Sequence, residues 1–124
     1  MFENYQPWVV LKFGGTSVSS SANWHNIVGV LKDRIAAGLR PVVVHSALSG
    51  ITDRLESLLT AAVAGTHTAV LERIETVHRD LAQRLSIVPN ECFEDFMADL
   101  WRMAASVTEK AAPGEGRLSL TAGP

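Results

Sequence analysis

Cysteine is nearly absent: Cys92 is the only one in 124 residues, so no internal disulfide forms and a reducing compartment, the cytoplasm, is the expected setting. Charge of one sign is also lacking. Eleven basic against 13 acidic residues leave a net charge of -2, and neither sign gathers into a block, which excludes the basic stripe of a nucleic-acid binder and a polybasic membrane contact. No long apolar run is present either. The longest apolar-leaning stretch free of acids and bases, Ser57 to Leu71, contains Gly65 and His67 and falls short of the roughly 18 apolar residues of a membrane span. The N-terminus, MFENYQPWVV, has Glu3 where a secretory peptide carries positive charge and lacks its apolar centre, so no export signal is expected. Trp8, Trp24 and Trp101 fall on or beside apolar stripes, which assigns them to packing and not to base stacking. His67, His78 and Cys92 have no metal-ligand spacing, and Cys92 reads as a buried structural thiol. A small molecule remains as the expected partner.

With 47% hydrophobic residues, the chain is able to bury a core and fits one compact domain. Trp8 to Phe13, between Pro7 and a glycine pair, reads as a strand buried on both faces. The serines Ser19, Ser20 and Ser21 are candidate caps for a helix with apolar residues at Trp24, Ile27, Val28, Leu31 and Ile35, ending near Ala37 ahead of Gly38 and Pro41. Val42 to Val44 is a second buried run. Thr52 is a candidate cap for a helix through Leu55, Leu58, Leu59, Ala62 and Val63, stopped by Gly65. Another stripe, Val70, Ile74, Val77, Leu81 and Leu85, runs to Pro89, with Glu72, Arg73, Glu75, Arg79, Asp80 and Arg84 on its solvated side. Asn90 then caps a fourth helix that buries Phe93, Phe96 or Met97, Leu100, Ala104 and Val107, with Glu91 and Glu94 in its first turn. From Pro113 onward the pattern breaks.

The fold class is therefore α/β, a β-α-β unit with parallel strands followed by three helices. Two parallel strands leave apolar faces and backbone edges uncovered, so the chain is expected to be the first part of a larger α/β domain. Those open edges also motivate an alternative: a non-catalytic helical module that self-associates, with an empty glycine loop.

Ligands of parallel units collect at the carboxyl ends of the strands, where Lys12-Phe13-Gly14-Gly15-Thr16-Ser17 and Ser46-Ala47-Leu48-Ser49-Gly50-Ile51-Thr52 are expected to face each other. Glycines let backbone N–H groups approach an anion, and a lysine adds a full positive charge. Phosphoryl transfer needs such parts, because its transition state spreads negative charge over the moving oxygens. Neither the P-loop pattern nor G-x-G-x-x-G is present. On pattern alone, a tight turn without a ligand accounts for Gly14 and Gly15 equally well, and a solvated strand end accounts for Lys12. His45 reads as structural.

"KFGGTSV" at 12–18 together with "VVVHSALSGITD" at 42–53 resembles the opening of an aspartate kinase of the amino-acid kinase family. The resemblance implies an incomplete amino-acid kinase (carbamate kinase-like) three-layer fold, with residues 1–124 as the N-terminal portion of the kinase domain. It further implies that Lys12 is catalytic and contacts the transferred phosphoryl group. Lys12, Phe13, Gly14 and Gly15 would bind the nucleotide phosphates, and Ser46 and Thr52 the substrate. The implied reaction turns L-aspartate and ATP into 4-phospho-L-aspartate and ADP, with Mg2+ arriving on ATP and no protein metal site. A homo-oligomer is expected, with no nucleic-acid or membrane partner. His45 departs from the family, which has a branched residue there. The stretch "PVVVHSALSGITDRLESLL" also resembles the kinase half of bifunctional aspartate kinase/diaminopimelate decarboxylase proteins. Family residues that recognise aspartate and adenine lie beyond a segment like "LSLTAGP", so the isolated chain is expected to be inactive.

Overall fold

The computed structural model describes residues 5–111. Its elements are β1 (Trp8–Phe13), α1 (Gly15–Val18), α2 (Ser21–Ala36), β2 (Arg40–His45), α3 (Ile51–Ala64), α4 (His67–Arg84) and α5 (Glu91–Lys110). The chain divides into two compact units between Gly50 and Ile51. The segment from Pro113 to Pro124, with its "LSLTAGP", lies outside the described residues.

In the first unit β1 and β2 pair in parallel, from Trp8 opposite Arg40 to Phe13 opposite His45. Side chains alternate along a strand and partners share a face, so Val9, Leu11 and Phe13 lie with Pro41, Val43 and His45. Trp8, Val10 and Lys12 lie with Arg40, Val42 and Val44 on the other face. Helix α2 covers the first of these, its Trp24 ring meeting His45 edge-on with centroids 6.0 Å apart. The second face is bare, with Trp8 60% and Val10 65% exposed. Burial on both faces, expected from the valine-rich runs, is thus corrected to partial cover of one, where Val9, Leu11 and Phe13 are half-buried and Val43 is still exposed, because a single crossover helix clothes only one side of a sheet. Trp8 is likewise not a core residue; it carries the Arg40 guanidinium 3.8 Å from its ring centroid, a cation–π contact across the strand pair.

Helix α2 begins where Ser20 accepts a side-chain hydrogen bond from the Asn23 amide at 3.1 Å, so Ser20 is the cap among the three candidate serines. It ends at Ala37, and Gly38 follows with φ of 83°, the left-handed position that glycine occupies without a Cβ penalty. Ile27 is buried, whereas Ile35 of the same expected stripe is exposed.

The second unit packs α3, α4 and α5 around Leu58, Ala62, Leu71, Ile74, Ala82, Met97 and Ala104. Met97 rather than Phe96 faces inward. Helix α4 stops at Arg84, short of Pro89, and Ser86 turns the chain with φ of 57°. The cap of α5 is as expected: Asn90 Oδ1 accepts the Phe93 amide at 2.9 Å. Two residues assigned to the solvated side of α4 instead tie the helices together. Arg79 donates to Glu75 at 2.9 Å and, through both terminal nitrogens, to Glu94 of α5 at 2.7 and 2.9 Å. Trp101 also donates to Glu75, at 3.2 Å. Thr108 of α5 donates to the Ala62 carbonyl of α3 at 2.6 Å. Cys92 is exposed, since its place in the first turn of α5 lies off the stripe that Met97 and Ala104 define.

Candidate functional site

The candidate site lies in the first unit, where β1 and β2 both end. Phe13 closes β1, and its carbonyl accepts the Ser46 amide at 3.2 Å, which fastens the start of the second loop to the end of the first strand. Gly14 then turns the chain into α1. Its φ of -80° and ψ of 177° are ordinary extended values that any residue adopts, and among the described residues nothing stands within 4 Å of the position a Cβ would occupy. Packing therefore makes no demand for glycine at 14.

Gly15 is different. A Cβ there would lie 3.1 Å from the Ala47 carbonyl oxygen, 3.4 Å from Ser46 Oγ and 3.5 Å from the Ser49 amide nitrogen. The absent side chain is what lets the two loops touch. This is the expected meeting of the segments after β1 and β2, made at Gly15, Ser46, Ala47 and Ser49. Lys12 sits one residue before the end of β1, on the exposed face. Its side chain has no hydrogen-bond or ion-pair partner among the described residues. Thr52 belongs to the second unit; α3 already starts at Ile51, so Thr52 lies inside the first turn and is not its cap.

Helix α1 is a single turn, too short to satisfy its own carbonyls. Side chains that the sequence reading did not single out for this role complete it. The Ser19 hydroxyl donates to the Gly15 carbonyl, Asn23 Nδ2 donates to Thr16 at 3.1 Å, and Trp24 Nε1 donates to Val18 at 2.7 Å. Ser19 also accepts the Ser49 amide at 2.7 Å. The spacing of Ser19 four residues after Gly15 is a local signal that a sequence can carry; the Ser49 partner, thirty residues away, leaves none. His45 is held by structural contacts, Nδ1 lying 2.9 Å from the Ser46 carbonyl oxygen while the ring meets Trp24.

The Ser46 and Ser49 amides and the Ser19 and Ser46 hydroxyls all find partners within the two loops. Among the described residues no group of three or more His, Cys, Asp or Glu is placed to hold a metal ion, and no helix is long and apolar enough to cross a membrane.

The chain is 31% identical over 100 residues to an aspartokinase of Chlamydia muridarum (strain MoPn / Nigg), covering 81% of this chain and 21% of that protein. It is 45% identical over 47 residues to an aspartokinase of Helicobacter pylori (strain ATCC 700392 / 26695), covering 38% of this chain and 12% of that one. The chain thus spans about a fifth or less of the length of these relatives. No solved structure matches it. The model of the Amino acid kinase family matches residues 7–111, which takes in both strands, all five helices and the two loops that meet at Gly15, and the chain belongs to that family.

Proposed function

We propose that residues 1–124 are the N-terminal portion of an amino-acid kinase domain that, in its full-length protein, phosphorylates L-aspartate with ATP to give 4-phospho-L-aspartate. This is the first step toward lysine, threonine and methionine. The observation that carries the reading is the contrast between the glycines. Gly15 is required by the close approach of Ala47, whereas Gly14 has ordinary dihedrals and open space beside it, room that a phosphate would use without obstruction from a Cβ.

In this reading the backbone at Phe13, Gly14 and Gly15 lies against the nucleotide phosphates. Lys12 places a positive charge where the transferred group gathers negative charge, the kind of fixed electrostatic stabilisation on which phosphoryl transfer depends. Ser46, whose hydroxyl donates to the Ala47 carbonyl at 2.9 Å, keeps lone pairs to receive a donor of the acceptor substrate. Magnesium bound to ATP supplies further neutralisation of phosphate charge. The nucleotide and aspartate are substrates met in the cytoplasm. Because the chain covers only a fifth of its Chlamydia relative, it is inactive alone: a hydroxamate assay for aspartyl phosphate on the 124-residue chain is expected to give no turnover above background, and substantial turnover would contradict this. Titration of MgATP into the chain and into Lys12→Ala tests the phosphate role. Weaker binding by the variant supports it, and equal binding removes Lys12 from it.

A second reading, self-association without a ligand, is favoured by one feature. Leu59 of α3 and Phe96 and Met103 of α5 are 63%, 58% and 57% exposed, more apolar surface than these helices need to leave in water. Light scattering at micromolar concentration separates the two. A chain that binds MgATP, in whatever oligomeric state, supports the kinase reading; an oligomer indifferent to nucleotide supports the other.

A further inference from the structure

The Ser19 hydroxyl uses both of its hydrogen-bonding capacities at the junction of the two loops. Its O–H donates to the Gly15 carbonyl, and its oxygen accepts the Ser49 amide at 2.7 Å. A hydroxyl has one proton to give and lone pairs to receive, so a single side chain ties the glycine turn to the loop after β2, thirty residues on. The backbone bond from the Ser46 amide to the Phe13 carbonyl holds the beginning of that loop; the Ser19 bond holds it three residues further along. Between these two fastenings lie Ser46 and Ala47, the residues whose Oγ and carbonyl stand closest to Gly15. Ser19 itself is held by its amide bond to the Thr16 carbonyl and precedes the capping serine of α2. The backbone that carries the hydroxyl is therefore held by contacts that do not involve the 46–49 loop.

We propose that Ser19 is a positioning residue: its hydroxyl sets the separation between the glycine turn and the 46–49 loop, and so the width of the mouth in which a nucleotide phosphate is received. The proposal rests on the phosphate-site reading of Lys12, Gly14 and Gly15. Ser19 touches no substrate. It acts through Gly15 and Ser49, by removing loop positions that would otherwise have to be frozen when a ligand arrives.

The test compares the wild-type chain with Ser19→Ala and Ser19→Thr by three readouts: hydrogen exchange at the Ser49 amide, MgATP titration and the thermal midpoint. Ser19→Ala is expected to speed Ser49 exchange and weaken MgATP binding, each by about fivefold or more, the size of one lost hydrogen bond. Ser19→Thr, which keeps the hydroxyl, is expected to restore both. Rescue by threonine, with loss by alanine in a chain that still unfolds cooperatively, separates positioning from a general loss of structure. Unchanged Ser49 exchange in Ser19→Ala overturns the latch. Faster exchange with MgATP binding at wild-type strength overturns the positioning role while sparing the phosphate site. A wild-type chain that binds no MgATP, with Ser49 exchange still dependent on Ser19, overturns the phosphate-site reading and the positioning role that rests on it.

Discussion

Gly15 and Ala47 approach so closely that a Cβ on the glycine would stand 3.1 Å from the alanine carbonyl oxygen. The contact joins the end of the first strand's loop to the middle of the second's, and it distinguishes the two adjacent glycines. Gly15→Ala is expected to destabilise the first unit by about 1–3 kcal/mol, because backbone rather than a flexible side-chain tip must give way. Gly14→Ala meets open space and is expected to leave the unfolding midpoint within about 0.5 kcal/mol of wild type. Urea denaturation of both variants is the check; equal effects would contradict the assignment.

Trp24 supports the same turn from the side. Its indole N–H satisfies the carbonyl of Val18, a residue with no exposed surface. Trp24→Phe keeps most of the ring and removes the donor, so a loss of about 1–3 kcal/mol is expected. Trp101→Phe is the contrast, since Glu75 retains Arg79 when the indole is removed. Its loss should be the smaller, measured by the same denaturation.

In the second unit, hydrogen bonds from Arg79 hold the Glu94 carboxyl below the usual carboxylate range, and Glu94 with Glu75 raises the Arg79 guanidinium further above neutrality. Because the folded-state value of Glu94 is the lower one, its contribution to stability is complete above the ordinary glutamate value of about 4.3 and disappears as pH falls through the depressed one. Arg79→Met should move the carboxyl back up toward that ordinary value. Both partners are substantially exposed, so the change in stability is small and the carbon-13 titration of the Glu94 side chain is the sensitive readout. No movement on substitution would show that Arg79 is not the cause.

The parts of this structure that could be read from the sequence are those governed by local rules. The strand ahead of Gly14, the helix behind Ser20, the stop at Gly38 and the cap at Asn90 each follow from a few neighbouring residues. Which face of a strand is covered depends on partners elsewhere, and that is why Trp8 and Val10 looked buried and are not. Helix α1 has four residues, barely one helical period, so no periodicity announces it. Thr52 has a capping side chain, but Ile51 had already entered the helix. At the candidate site, the sequence placed the segment from Lys12 to Ser17 opposite the one that opens at Ser46, without saying which residues touch; the link from Ser19 to Ser49 joins residues thirty apart and exists only once the strands have paired.

In the function proposed above, the backbone at residues 12–15 receives a nucleotide phosphate with the help of Lys12. The most direct test is a titration of MgATP followed by the backbone amide resonances of the wild-type chain and of Lys12→Ala. Saturable shifts are expected, centred on Phe13, Gly14, Gly15 and the 46–49 loop, with affinity reduced about tenfold or more in the variant, the scale of one charge-assisted contact to a phosphate. Shifts located elsewhere, or the same affinity with and without the lysine, would contradict it.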